Sequence, residues 1–347
     1  MNQSQKVFYR QFSQHGTGDA KVEISPSEVA LMLFIAYHDI HGKYPSREYS
    51  AISRLASKGF YQITFAEICK LPEIPADDCF ALLKSAGATN ISDIIYLYLK
   101  NLCDLYRRRY KYDKILQSQP FPNADQVAPR SLLEYGKCDT SLLATWLEWR
   151  KWCFDIDNRS GQETGYVFEP ILASCLGGTP VSHTNSPVKR INESGQRTNE
   201  GRQVDCYIEE AKEVYELKMR VTIAASGQGR FKEEMSFPRE AKVSGLTPIL
   251  VVFDETESAL LNKLKAQFNK YGGRCFIGQA AWEMLYKKAG KEMSLFIRNY
   301  IYPPVQAMGC LIGSNPHSIR IDNIEHEIII SDSKSEYIIS RIHGETT

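Results

Sequence analysis

No stretch of the sequence holds the roughly 18 consecutive apolar residues of a bilayer-spanning helix, so no membrane span is expected. The first residues, MNQSQKVFYRQFSQHG, lack the apolar centre of a secretory signal. The 9 cysteines are dispersed, with no CxxC and no adjoining Cys/His pairs. That argues against a zinc site and, with no export signal, for free thiols in a reducing compartment. GxxxxGK[ST] is missing, as is any recognisable methyltransferase motif, so ATP-driven chemistry and methyl transfer have no support. Charge of either sign is not in excess: the formal net charge is +1, and a nucleic-acid partner must be met by a local patch. What is present is ordinary for a cytoplasmic globular protein, with 43% hydrophobic and 24% charged residues. At 347 residues, the chain is long enough for more than one structural unit.

Residues 25–116 read as helices separated by short polar or Gly/Pro breaks. Ser25 is a candidate N-cap, with Pro26 at the first helical position. The stretch QSQPFPNADQVAPRS (117–131) is the best linker candidate, and it divides a helical domain (1–130) from a second domain (131–347). A helix over 141–156 leads into the second unit, and another ends at Gly177-Gly178. GRFKEEMSFPREAKVSG reads as mostly helix-forming and broken by Pro238. TPILVVFD is a nearly continuous apolar run, as expected of a strand buried on both faces. The order helix, hairpin, helix, strand, helix, strand implies an α/β fold: a mixed β-sheet flanked by helices, with an N-terminal helical domain and a terminal hairpin.

The chemistry concentrates in QVDCYIEEAKEVYELKMR (203–220). Side chains two apart on a strand share a face, so Glu216, Lys218 and Arg220 project together. The preceding strand carries one acid, Asp205. A two-residue turn at Glu210-Ala211 sets Asp205 opposite Glu216, and one at Ala211-Lys212 sets it opposite Lys218. A three-residue loop splits them. Two carboxylates beside one ammonium suit a hard divalent cation such as Mg²⁺, with the Leu217 carbonyl as a further oxygen ligand and Lys218 orienting a water. The tripeptide Glu-Leu-Lys by itself also fits a solvated hairpin face.

Asp205 followed by Glu216-Leu217-Lys218 resembles the PD-(D/E)XK nuclease superfamily, although Val204 stands where Pro is usual. GYVFEP resembles the GxxFE helix that many of these nucleases place before the core, which would make Glu169 a further acid near the metal. The resemblance spans roughly 160–290. It implies a restriction-endonuclease-like fold and Mg²⁺-dependent hydrolysis of DNA phosphodiesters to 5′-phosphate and 3′-hydroxyl ends. A type II restriction endonuclease fits best, which implies double-stranded DNA as partner, a homodimer on a palindromic site and a separate protecting methyltransferase. A repair or structure-specific nuclease, and a non-catalytic DNA-binding protein, are the alternative readings.

Three segments are candidate DNA contacts. Lys189, Arg190, Arg197 and Arg202 lie in the long polar stretch 183–202, where Arg, Asn and Gln suit base edges. Beyond the active strand, Arg220, Gln228 and Arg230 offer donors to a phosphate. Arg107, Arg108 and Arg109 interleave with Tyr106, Tyr110 and Tyr112, a pattern suited to a phosphate backbone or, equally, to a solvated helix face.

Overall fold

The chain opens with α1 (Gln3–Ser13), a two-stranded ribbon of β1 (Gln14–His15) and β2 (Val22–Glu23), and α2 (Pro26–His41). The computed structural model describes residues 1–347 except 16–20, 137–139, 193, 220–227, 256–257, 305–306, 308–318, 325, 333 and 342–347; of 15, 124, 126, 128, 163, 164 and 228–230 it describes only the backbone. α2 starts where the sequence signals it. The Ser25 hydroxyl accepts from the Glu28 N–H at 3.3 Å, the Glu28 carboxylate returns the bond to the Ser25 N–H at 2.6 Å, and Gly42 ends the helix at φ +67°. Val29 to Ala36 are buried on all sides, which makes α2 the central helix of the N-terminal unit. Around it lie α3 (Ser50–Ala56), α4 (Phe65–Ile68), α5 (Ala76–Ser85) and α6 (Ile94–Ser118).

Helix α7 (Ala124–Tyr135) takes up the second half of the expected linker. α8 (Ser141–Cys175) then runs unbroken for 35 residues where two helices were expected. The polar, glycine-containing stretch near 157–163 costs about 1 kcal/mol at Gly161. Buried Trp152 and Ile156 before it, and buried Val167, Ile171 and Leu172 after it, anchor both halves and carry the helix through.

After β3 (Thr179–Val181) a small antiparallel pair forms, β4 (Lys189–Ile191) with β5 (Arg197–Gly201). The main sheet is completed by β6 (Val204–Ile208), β7 (Glu213–Lys218), β8 (Thr247–Val252) and β9 (Arg274–Ile277), in the order β3-β6-β7-β8-β9. β3, β6 and β7 pair antiparallel; β7, β8 and β9 are parallel. The parallel crossovers run through α9 (Gln228–Val243), which continues past Pro238, and α10 (Ala259–Lys270). α11 (Gln279–Lys288) and α12 (Gly290–Phe296) follow.

Alternate residues of the sheet enter two cores. Tyr215, Leu217, Ile249 and Val251 pack with α8, α11, α12 and the N-terminal helices, so the helical unit and the sheet share one continuous apolar core. Val214, Leu250 and Val252 pack instead with Phe237, Leu264 and Phe268 of α9 and α10. β8, covered on both sides, needs its unbroken apolar run. The expected terminal hairpin is a three-stranded meander, β10 (Arg320–Ile324), β11 (Glu327–Ser331) and β12 (Glu336–Ser340). It sets Ile328 and Ile339 against Ile115, Leu116 and Trp152. No helix among the described residues is long and apolar enough to cross a membrane, and the described cysteines are all free.

Candidate active site

The β6–β7 hairpin turns through residues 209–212. The Lys212 N–H donates to the Glu209 carbonyl at 3.0 Å, and Lys212 takes a left-handed φ of +51°. Ile208 pairs with Glu213, Tyr207 with Val214 and Cys206 with Tyr215. One further step in that register sets Asp205 opposite Glu216, the alignment of a turn centred on Glu210-Ala211. The backbone pairing of β6 with β7 runs from Ile208 to Cys206, and next to it the Asp205 Oδ2 accepts the Leu217 N–H at 2.8 Å. The N–H and C=O of one strand residue point to the same side, so the Leu217 carbonyl also turns towards Asp205.

Glu216 and Lys218 stand beside each other on the face that carries Val214. The Lys218 ammonium donates to Glu216 Oε1 at 3.2 Å and to Glu234 Oε1 at 2.9 Å. Glu234, on α9, is the residue that sequence reading missed; it lies sixteen positions beyond Lys218 on a separate helix. Its other oxygen, Oε2, is buried without a hydrogen-bond partner among the described residues.

Electrostatics set Asp205 apart. Burial, then the Glu216 and Glu169 carboxylates, hold its carboxyl well above the usual carboxylate range, against the opposing pull of the Leu217 N–H and Lys218. For Lys218, burial works against the charged form, but Glu216 and Glu234 outweigh it and raise its pKa. Glu169 reaches this field from α8. Gly165, one turn earlier, leaves the space its carboxylate uses: a Cβ there would lie 3.0 Å from Glu169 Oε1. A side chain at the glycine of GYVFE would press on that carboxylate.

Among the described residues no three His, Cys, Asp or Glu side chains converge as metal ligands. The set that suits a divalent ion is narrower and all oxygen: Asp205 and Glu216 side by side, with the Leu217 carbonyl between them. A buried carboxylate that repels two others and, among the described residues, accepts one N–H is short of positive charge, which a hard cation would supply.

The other sequence-predicted residues divide. Arg107 is buried, and its guanidinium donates to the Gln11, Phe12 and Gln14 carbonyls at the end of α1. Arg202 is buried too. It donates to Glu240 at 3.1 Å and Ser236 at 3.2 Å and lies over the Phe237 ring. Both are committed to the interior. Arg190 pairs with Glu200 and Glu233. Lys189 is half-buried and Arg197 exposed, and neither forms an ion pair among the described residues. Arg108 lies over Tyr112 and Arg109 over Phe60. These four, with Tyr61, Leu105, Phe168 and Pro304, line an open cleft of about 330 Å³ that reaches the residue before Glu169. Arg220 lies outside the described residues, as do the side chains of Gln228 and Arg230.

Residues 68–302 match the model of the ApaLI-like restriction endonucleases, a span that includes the hairpin, α8 and α9. The type II restriction enzyme ApaLI of Acetobacter pasteurianus is 45% identical over 250 residues, 71% of this chain and 64% of that relative. The match thus spans less than two thirds of the relative's length. No solved structure matches.

Proposed function

The chain belongs to the ApaLI-like restriction endonuclease family, and on that premise we propose that it is a type II restriction endonuclease cutting double-stranded DNA at a specific sequence. The observation that carries the reading is the bond of the Asp205 carboxylate to the Leu217 N–H, with Glu216 and Lys218 paired on either side of Leu217, inside the family-matched span.

In this reading Asp205, Glu216 and the Leu217 carbonyl would hold Mg²⁺, which when bound supplies a Lewis acid to the scissile phosphate. Lys218 directs an N–H at the attacking water and offers positive charge to the phosphoryl oxygens as they gain negative charge. Glu169 adds a further negative charge to the field at Asp205. In-line attack leaves 5′-phosphate and 3′-hydroxyl ends. Of the basic residues in the two sequence-predicted segments, Arg108 and Arg109 at the cleft and Lys189 and Arg197 without an ion pair among the described residues are the candidates to meet DNA, while Arg107 and Arg202 serve the fold.

A homodimer on a palindromic site belongs with this function, and so does a companion methyltransferase. An apolar face is available for self-association: Leu132 and Leu133 on α7, with Leu142, Trp146 and Phe154 on α8, are each more than half exposed.

The test is digestion of phage-sized, unmethylated duplex DNA by the purified protein, with Mg²⁺ and with EDTA. Discrete Mg²⁺-dependent bands are expected. A smear would support a structure-specific or non-specific nuclease, and no cutting across varied substrates would sink the proposal.

A further inference from the structure

Lys218 lies between two glutamates, yet one is enough to neutralise it. Side-chain exposures are 13% for Lys218, 18% for Glu216 and 7% for Glu234, so the trio lies in poorly hydrated surroundings with a surplus carboxylate. The Glu234 Oε2 atom, buried and without a hydrogen-bond partner among the described residues, makes that surplus costly. α9 is held independently of it, by the packing of Phe237 against Val214, Leu250 and Val252 of the sheet and by the Arg202–Glu240 pair to the segment before β6.

We propose that Glu234 is a positioning residue that keeps the Lys218 ammonium in place when Glu216 turns to a divalent cation. This deepens the nuclease reading and rests on it. Glu216 cannot hold a cation and remain the close partner of Lys218 without bringing two positive centres together. Glu234 sits on α9, apart from the strand that carries the other two, and its 2.9 Å contact is the shorter of the lysine's two bonds. It therefore holds the ammonium at the same point whether or not Glu216 is engaged. Without Glu234, Lys218 keeps Glu216 as its one carboxylate partner among the described residues, and lysine and cation compete for it.

The experiment compares wild type with Glu234→Ala and Glu234→Gln in three measurements. These are calorimetric Mn²⁺ affinity of the protein alone, duplex binding in Ca²⁺, and single-turnover cleavage in Mg²⁺, with thermal melts alongside. For Glu234→Ala, Mn²⁺ affinity is expected to fall about tenfold and cleavage about 100-fold, with duplex binding within about twofold. Glu234→Gln keeps an acceptor oxygen for the ammonium and is expected to recover at least half of each loss on a logarithmic scale. Should Glu234→Ala fail to fold, Glu234→Gln alone must still show weakened Mn²⁺ affinity. Wild-type Mn²⁺ affinity and cleavage in Glu234→Ala would overturn the proposal. So would parallel loss of stability, duplex binding and cleavage in both variants. A wild-type protein that cuts no DNA would instead remove the nuclease reading, while the Mn²⁺ titration would still report on Glu234.

Discussion

Asp205 and Gly165 are positions where activity and stability should part. A carboxyl whose pKa is raised in the folded chain binds its proton more tightly folded than unfolded. Its charge costs nothing below its ordinary pKa; the cost accrues as pH rises above that value and is complete above the folded one. Asp205→Asn removes this cost. It should raise stability at neutral pH by on the order of 1 kcal/mol in a denaturant titration, while abolishing Mg²⁺-dependent cleavage. Mg²⁺ should raise the Tm of the wild type and leave that of Asp205→Asn nearly unchanged. Gly165→Ala should stabilise α8 by up to about 1 kcal/mol, since alanine favours helix. Its Cβ crowds Glu169 Oε1 at 3.0 Å, so cleavage should nevertheless fall by about tenfold, read as kcat rather than as duplex affinity. Equal activity in both proteins would remove Glu169 from the site.

Elements decide which arginines are available. The run Arg107–Arg109 reads as one basic stripe, yet α6 turns consecutive residues by about 100° and sends Arg107 inward to the α1 carbonyls. Arg108 and Arg109 stay at the cleft. Arg109→Ala should therefore leave the fold intact, weaken duplex binding across all sequences and reduce its salt slope by about 1. Arg202→Ala should act differently. It leaves Glu240 buried and unpaired, and should cost about 3–5 kcal/mol of stability before any effect on DNA is seen. A stable Arg202→Ala protein with altered site preference would show instead that this guanidinium reads DNA. Glu234 was hidden for the same kind of reason, because nothing in EEMSF says which of two adjacent glutamates α9 turns towards the sheet. The structure buries Glu234 and leaves Glu233 exposed beside Arg190.

For the whole molecule, the helical unit is not an independent module, since its core runs on into one face of the sheet. Domain separation by cutting near 120–130 should thus yield two insoluble pieces. The apolar α7–α8 face is where two copies are expected to meet. The double variant Leu133→Glu, Leu142→Glu should sediment as a monomer, keep its thermal stability within a few degrees and lose concerted cutting of both strands. An unchanged sedimentation coefficient would move the interface elsewhere.

Local chemistry was legible in the chain. The capping box at Ser25, the buried run of β8, and the period of two that joins Glu216 to Lys218 follow from short-range geometry that every strand or helix obeys. Acid and lysine on the second strand could be named, but two hairpin registers were open, because the polar turn EEAK supports more than one loop. The fold closed that choice at the turn: the Lys212 N–H donates to the Glu209 carbonyl and the Lys212 carbonyl accepts the Thr247 N–H at the start of β8, which leaves Ile208 paired with Glu213 and Cys206 with Tyr215. The continuity of α8 through its polar middle, the inward turn of Arg107 and Arg202, and the arrival of Glu234 beside Lys218 were likewise decided in three dimensions. Each depends on what a distant element places opposite, and sequence spacing carries no record of that.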